Sequence, residues 1–190
     1  MSQIVHSIPS GNLPLICLEA NGVKDQFENA RNTPLGSSSA DKGSVSGFLG
    51  CFACELYLKF IIGSYDLREH TATIDIKHGH NLWDLFNFLN DDHKDTVRKN
   101  LIVNKVVRSI DEFDTLLSKI SLGFQNYRYY FEQKEGDIEI DSDTGMQAIK
   151  IPSCFITELI NELSSTSKEI VDNMDLNDVD ISNLPIIIME

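Results

Sequence analysis

The feature that most constrains this sequence is one long apolar segment in the first half of the chain. Between Ser44 and Ile62, apolar side chains recur at spacings of three and four residues, which is the spacing of one helix face. They are Phe48, Leu49, Phe52, Ala53, Leu56, Tyr57, Phe60 and Ile61. Glu55 and Lys59 interrupt the segment, so we expect no transmembrane helix. The pattern predicts a buried central helix that Gly63 ends.

Further amphipathic segments lie on both sides of this helix. Apolar residues at helical spacing predict helices over 15–31, 82–89, 91–103, 110–132 and 153–170. Asn81 is the predicted N-cap of the helix that begins at Leu82. The stretches 32–43 and 64–79 predict connections, the second with short extended pieces. The expected fold class is therefore all-α, a helical bundle of five to six helices. Residues 137–151 predict a small β-hairpin or an irregular loop.

The charge of the chain is unevenly distributed. The net charge is −13, but residues 1–134 carry 14 basic and 16 acidic side chains, whereas residues 135–190 carry 2 and 13. The main body can therefore present a basic groove to nucleic acid, while the last third repels nucleic acid or covers a basic surface. With 190 residues, one domain is expected. We place a helical domain over 1–172 and an acidic, then apolar, tail over 173–190.

Cysteine usage and the N-terminus indicate an intracellular protein. The start of the chain has no basic region followed by an apolar core, so it does not resemble a secretion signal. Cys17, Cys51, Cys54 and Cys154 all lie in apolar surroundings, which is typical of buried free thiols rather than disulfides. Cys51 and Cys54 have no second pair of ligands for zinc. We expect a cytoplasmic location, no metal, no cofactor and no membrane partner.

Two constellations of polar residues could form a site. Glu55 and Lys59 are four residues apart, so they share a helix face. They form either a simple salt bridge or a polar pair that faces a cleft, because charges in so apolar a segment need partners. His78 and His80 precede a predicted helix. His80 either helps to fix the start of that helix or supplies an imidazole to the cleft, and a metal site is the least favoured interpretation.

A third constellation surrounds Arg128, which has Tyr127 and Tyr129 on either side. An arginine among aromatic residues suits stacking on nucleic-acid bases or binding to phosphate. It suits equally an interface between helices, or a buried pair with an acid such as Glu55. These alternatives stay open at the level of the sequence.

The three constellations lie in the segments GCFACELYLKFII, HGHNLWDLFNFL and FQNYRYYFE. In this order and on these predicted helices, they resemble the HEPN superfamily. The resemblance implies a bundle of four or five helices, frequent homodimers and roles in RNA cleavage or nucleotide binding, often in bacterial defence or toxin–antitoxin systems. Ribonucleases of the family carry an arginine followed after four to six residues by a histidine. No arginine of this chain has a histidine at that distance.

We therefore expect a HEPN-like binding or regulatory module that acts as a homodimer in an RNA- or nucleotide-linked process. Glu55, Lys59 and Tyr129 are its candidate ligand-binding residues. One alternative is a metal-independent endoribonuclease in which His80 and Arg128 act as catalytic acid/base and phosphate clamp. Another is a protein-interaction module that binds a partner protein through its acidic C-terminal segment.

Overall fold

The computed structural model describes residues 5–9, 12–32, 39–67, 73–77, 79–121 and 153–174. The described chain forms six helices and two strands. The helices are α1 (Leu13–Asn32), α2 (Ser39–Leu67), α3 (Leu82–Asn87), α4 (Asp91–Val103), α5 (Ile110–Ile120) and α6 (Ser153–Asp172). The strands are β1 (Val5–Pro9) and β2 (Thr73–Lys77). The predicted all-α helical bundle of five to six helices is confirmed, and a short two-stranded ribbon accompanies it.

The first half of the core is built where α1 and α6 pack on α2. Gly50 of α2 permits the close approach, because a Cβ at this position would lie 2.6 Å from Ile156 Cγ2 of α6. The same Cβ would lie 3.1 Å from a ring carbon of Phe27 on α1. Two turns further along α2, the hydroxyl of the buried Tyr57 donates to Asn21 Oδ1 at 2.7 Å. These contacts show that α1 and α2 run antiparallel.

Aromatic side chains join the remaining helices to this core. Phe113 of α5 packs against Phe86 of α3 and Phe155 of α6, with ring centroids 5.1 and 5.7 Å apart. Arg98 of α4 lies over the Phe86 and Phe113 rings and pairs with Asp114 at 2.8 Å. All three phenylalanines are fully buried, and each contributes about 2–3 kcal/mol through the area removed from water.

Local capping fixes the starts of the short helices. The side chain of Asn81 accepts from the Asp84 amide at 3.2 Å, which confirms the predicted N-cap of α3. Asn90 and Ser109 cap α4 and α5 in the same way. Each cap satisfies a backbone N–H that has no partner within the helix.

Three predicted boundaries of the helices were wrong. Gly63 does not end α2, which continues to Leu67; the glycine has no left-handed conformation, and its neighbours Ile62 and Ser64 stay packed in the core. The helix also begins at Ser39, inside the connection predicted over 32–43. The helix predicted over 110–132 stops at Ile120. The next carbonyl, that of Ser121, accepts from the Leu82 amide at 2.9 Å.

The ribbon pairs the N-terminal region with the connection between α2 and α3. The two strands are antiparallel, with Val5 opposite Lys77 and Pro9 opposite Thr73. The sequence predicted short extended pieces within 64–79, which β2 confirms, but it did not predict β1. The hairpin or loop predicted over 137–151 lies outside the described residues, as do residues 175–190 of the predicted tail.

Candidate functional site

The site begins with a buried carboxylate on the central helix. The side chain of Glu55 is only 2% exposed, and a buried charge is costly unless other groups bond to it. Lys59, one turn further along α2, places its Nζ 2.7 Å from Glu55 Oε1. The ammonium group therefore offsets part of the cost of burying the carboxylate.

His80 is the second partner of Glu55 and reaches it from the segment before α3. Its Nδ1 lies 2.9 Å from Glu55 Oε1 and 3.0 Å from Oε2. The imidazole is 39% exposed, whereas the lysine side chain is 14% exposed. The three side chains therefore form one connected polar group that extends from the core to the surface.

The residues around His80 hold it in this position. Gly79 has a φ of +145°, a conformation that residues with a Cβ rarely adopt, and it turns the chain immediately before the histidine. After the histidine, Asn81 caps α3, while Leu82 is fully buried and its amide bonds to Ser121 at the end of α5. Tertiary contacts therefore fix the backbone on one side of His80, and an unusual glycine conformation sets its direction on the other.

The buried cysteines of α1 and α2 are not reactive thiols. Burial raises the pKa of Cys51 to about 12, and the negative charge of Glu55 adds to this effect. Burial also raises the pKa values of Cys54 and Cys17, so none of these thiols ionises near neutral pH. All four cysteines are free, but the prediction that all are buried was wrong for Cys154, because it faces outward from the first turn of α6.

Three of the five residues predicted for the site come together. Lys59 and His80 both contact Glu55, so the predicted pair of Glu55 and Lys59 is a salt bridge whose carboxylate also contacts a histidine at the surface. Asn81 caps α3 with its side chain, as the sequence predicted, and the side chain of His80 contacts Glu55. Arg128 and Tyr129 lie outside the described residues. Their approach to His80 or Glu55 stays a prediction.

The structure also contains a polar cluster that the sequence did not predict. Tyr65 of α2 and His93 of α4 stack with ring centroids 5.8 Å apart, and the tyrosine hydroxyl lies 2.8 Å from His93 Nδ1. The same hydroxyl accepts from the Asn90 amide at 3.2 Å. The two rings are 28 residues apart in the chain, so no local sequence pattern predicts their contact. The cluster joins the end of α2 to the start of α4.

The site offers hydrogen-bonding and acid–base groups, namely one carboxylate, one ammonium group and one imidazole. Within the ranges that the structure describes, no three His, Cys, Asp or Glu side chains are grouped so that they could hold a metal ion. Comparisons with protein-family models, with curated proteins and with solved structures find no match. The resemblance to the HEPN superfamily therefore has no independent support.

The helix that carries the site is also long and apolar enough to cross a membrane. This stretch is Val45–Tyr65, and 61% of its most apolar part is buried inside the protein. The core helix of a soluble protein has the same length and composition, so this finding has little weight. The predictions of a cytoplasmic location and of no membrane partner stay predictions.

Proposed function

We propose that this protein is a HEPN-like helical module that binds RNA or a nucleotide through Glu55, Lys59 and His80. One observation carries the proposal: a fully buried carboxylate holds an imidazole that remains exposed at the surface. A buried charge is expensive to maintain, and a purely apolar contact would stabilise this position of α2 at least as well. The presence of a charged group at this position is therefore better explained by the histidine that it contacts than by stability.

The distribution of charge is compatible with a phosphate-bearing ligand. The main body, residues 1–134, carries a net charge of −2, so repulsion of the ligand is weak there. Arg128 falls within this part of the chain and would supply the guanidinium that phosphate groups prefer. From the resemblance to the HEPN superfamily, we also propose that the protein acts as a homodimer. The process would be RNA- or nucleotide-linked, of the defence or toxin–antitoxin type.

The binding proposal is tested with a labelled mixed RNA pool and with free nucleotides, by fluorescence anisotropy at low salt. We expect His80→Ala and Arg128→Ala each to weaken binding about tenfold or more, which is the loss of one charge-assisted hydrogen bond. Lys99→Ala removes an exposed cation of α4 outside the site and should weaken binding much less. No binding of either ligand by the folded wild-type protein would contradict the proposal.

A second candidate function is a metal-independent endoribonuclease. The observation that favours it is the contact between Glu55 and His80, because a carboxylate that orients an imidazole is a common arrangement in acid–base catalysis. His80 would move the proton and Arg128 would hold the phosphate. Cleavage of the RNA pool that persists with a chelator, and that both His80→Ala and Arg128→Ala abolish, would support this candidate. Binding without any cleavage would exclude it.

A further inference from the structure

The turn between α4 and α5 presents a surface that is both basic and apolar. Residues 96–110 carry four basic side chains and no acidic one. In this stretch Val103 is 67% exposed and Ile110 is 49% exposed, although both are large apolar residues. Lys99 lies one helical turn before Val103, so the two share a face of α4. We call this the α4–α5 surface, and its exposed members are Lys99, Val103, Lys105, Arg108 and Ile110.

The described acidic groups do not pair with the cations of the α4–α5 surface. Arg98, which is partly buried, pairs with Asp114. No described carboxylate forms an ion pair with the three exposed cations of the surface. The nearby carboxylate of Glu112 accepts a hydrogen bond from the backbone amide of Arg108 at 2.6 Å. Within the described residues, the positive charge of this surface is therefore left for an acidic partner.

The backbone of Lys105 also favours a role for its side chain. Its φ is +58°, a left-handed conformation that residues with a Cβ rarely adopt. Its amide donates to the Ile102 carbonyl, and the Val106 amide donates to the Leu101 carbonyl, so the residue ends α4 with a tight turn. Glycine is the usual residue at such a position. A lysine here is better explained by its charge than by the backbone.

Residues 175–190 have the complementary composition. They carry four acidic side chains and no basic one. Three of the acids lie in 175–180, and an apolar stretch, Leu184 to Met189, follows them. Opposite charges favour an encounter between this segment and the α4–α5 surface. Contact would also remove apolar side chains of both from water.

We propose that residues 175–190 bind to the α4–α5 surface of the same chain. The acids of 175–180 contact the exposed cations, and the apolar stretch covers Val103 and Ile110. A basic surface covered in this way attracts other acidic partners less strongly. The proposal does not depend on the ligand of the site around Glu55.

The length of the chain permits this contact. Helices α4 and α6 touch where the side chain of Asn100 donates to Glu162 at 2.7 Å. Met174 lies twelve residues after Glu162, which is about 18 Å along a helix. The ten residues from Met174 to Leu184 extend to about 33 Å. The segment is therefore long enough to return to α4.

The contact is tested on the full chain with a carbodiimide, which joins a lysine amine to a carboxylate as an amide where the two groups touch. We expect Lys99 and Lys105 to be joined to the acids of 175–180 in about tenfold higher yield than Lys119, which is exposed at the other end of α5. In an equal mixture of isotope-labelled and unlabelled protein, each cross-linked peptide pair should carry a single label. Equal yields at the three lysines, or pairs that mix the labels, would overturn the proposal.

Substitutions on the α4–α5 surface separate a specific contact from a chance encounter. Lys105→Glu combined with Arg108→Glu should lower the yield of the Lys99 cross-link about tenfold, because like charges repel. Lys105→Gly removes one cation but retains the turn, since glycine readily adopts this conformation, and it should also lower the yield. Lys119→Glu is the matched control and should leave the yield unchanged. A Lys99 yield that neither variant of the surface changes would overturn the proposal.

Discussion

Among the residues of the site, Glu55 is the one whose presence is least explained by a contribution to the stability of the fold. Its carboxylate is buried at the centre of an apolar helix, and the described groups that bond to it are Lys59 and His80. When one partner of a buried ion pair is removed, the other charge is left with little solvent, whereas replacing both partners with apolar residues restores packing. The free-energy cost of burying the Glu55 carboxylate is therefore measured only by comparing single and double substitutions.

We predict that Glu55→Met destabilises the protein by about 3 kcal/mol, and that Glu55→Met combined with Lys59→Met recovers most of that loss. Urea denaturation measures both effects, and ligand binding should be lost in both variants. Asp91→Ala is the control, because it breaks an ion pair in which the acid is fully exposed, and it should change stability little. A double variant as unstable as the single one would contradict this account.

At the scale of the elements, the packing of α1, α2 and α6 depends on one glycine. Gly50 has no room for a methyl group, because Ile156 Cγ2 would lie 2.6 Å from it and is attached to a β-carbon that rotates little. At Gly22, on the exposed face of α1, a Cβ would meet no atom of the described residues within 4 Å outside the backbone of its own helix. The two glycines occupy helix interiors, but only one of them is required by packing.

We predict opposite effects for the same substitution at these two positions. Gly50→Ala should destabilise the protein by about 1–3 kcal/mol through overpacking. Gly22→Ala should stabilise it by about 0.5–1 kcal/mol, since alanine loses less backbone entropy in a helix. Thermal and urea denaturation of the two variants side by side measure the difference. A stabilising Gly50→Ala would show that the three helices do not approach as closely as described.

The sequence predicted the boundary of a helix correctly where neighbouring residues alone determine it. The start of α4 followed from acidic residues at its first turn, and the N-cap of α3 from Asn81. The end of α2 did not follow from Gly63, because buried neighbours keep that glycine helical. Strand β1 was missed because its partner β2 is more than sixty residues away in the chain, and five residues are too few to show a clear alternation.

The site was predictable to a similar extent. Glu55 and Lys59 are neighbours on one helix, so their contact follows from spacing alone. The contact of His80 with Glu55 depends on the Gly79 turn and on the anchoring of Leu82 to α5, and these are tertiary features. Only the resemblance to a family grouped the three residues before the structure was known.

At the scale of the whole molecule, the buried thiols and a buried tyrosine lower the stability of the protein when the pH becomes high. The pKa of Cys51 rises from 9.0 to about 12, mainly through burial, and those of Cys54 and Tyr57 are also raised. Because these pKa values are higher in the folded than in the unfolded protein, the unfolded chain loses its protons first as the pH rises. The stability that these groups contribute is therefore fully present at a pH below their pKa values in the unfolded chain, and it declines as the pH rises above those values.

We predict that the free energy of unfolding falls as the pH rises from about 8.5 to about 10.5, by about 1.4 kcal/mol per pH unit for each group that titrates only when unfolded. Urea denaturation across this range measures the slope. A Cys51→Ala and Cys54→Ala double variant is the control, and its slope should be shallower whatever its absolute stability. Equal slopes for the two proteins would show that the thiols are not protected by burial.

The central claim is that the protein binds its ligand at the place where His80 reaches the surface. Titration of the whole protein with an RNA oligonucleotide tests this claim most directly. The ring signals of the histidines are followed by NMR, and His93 is the internal control because it is stacked on Tyr65 at the start of α4. We predict that the His80 signals shift in proportion to binding while those of His93 stay unchanged. Binding that moves the His93 signals and leaves those of His80 in place would contradict the account.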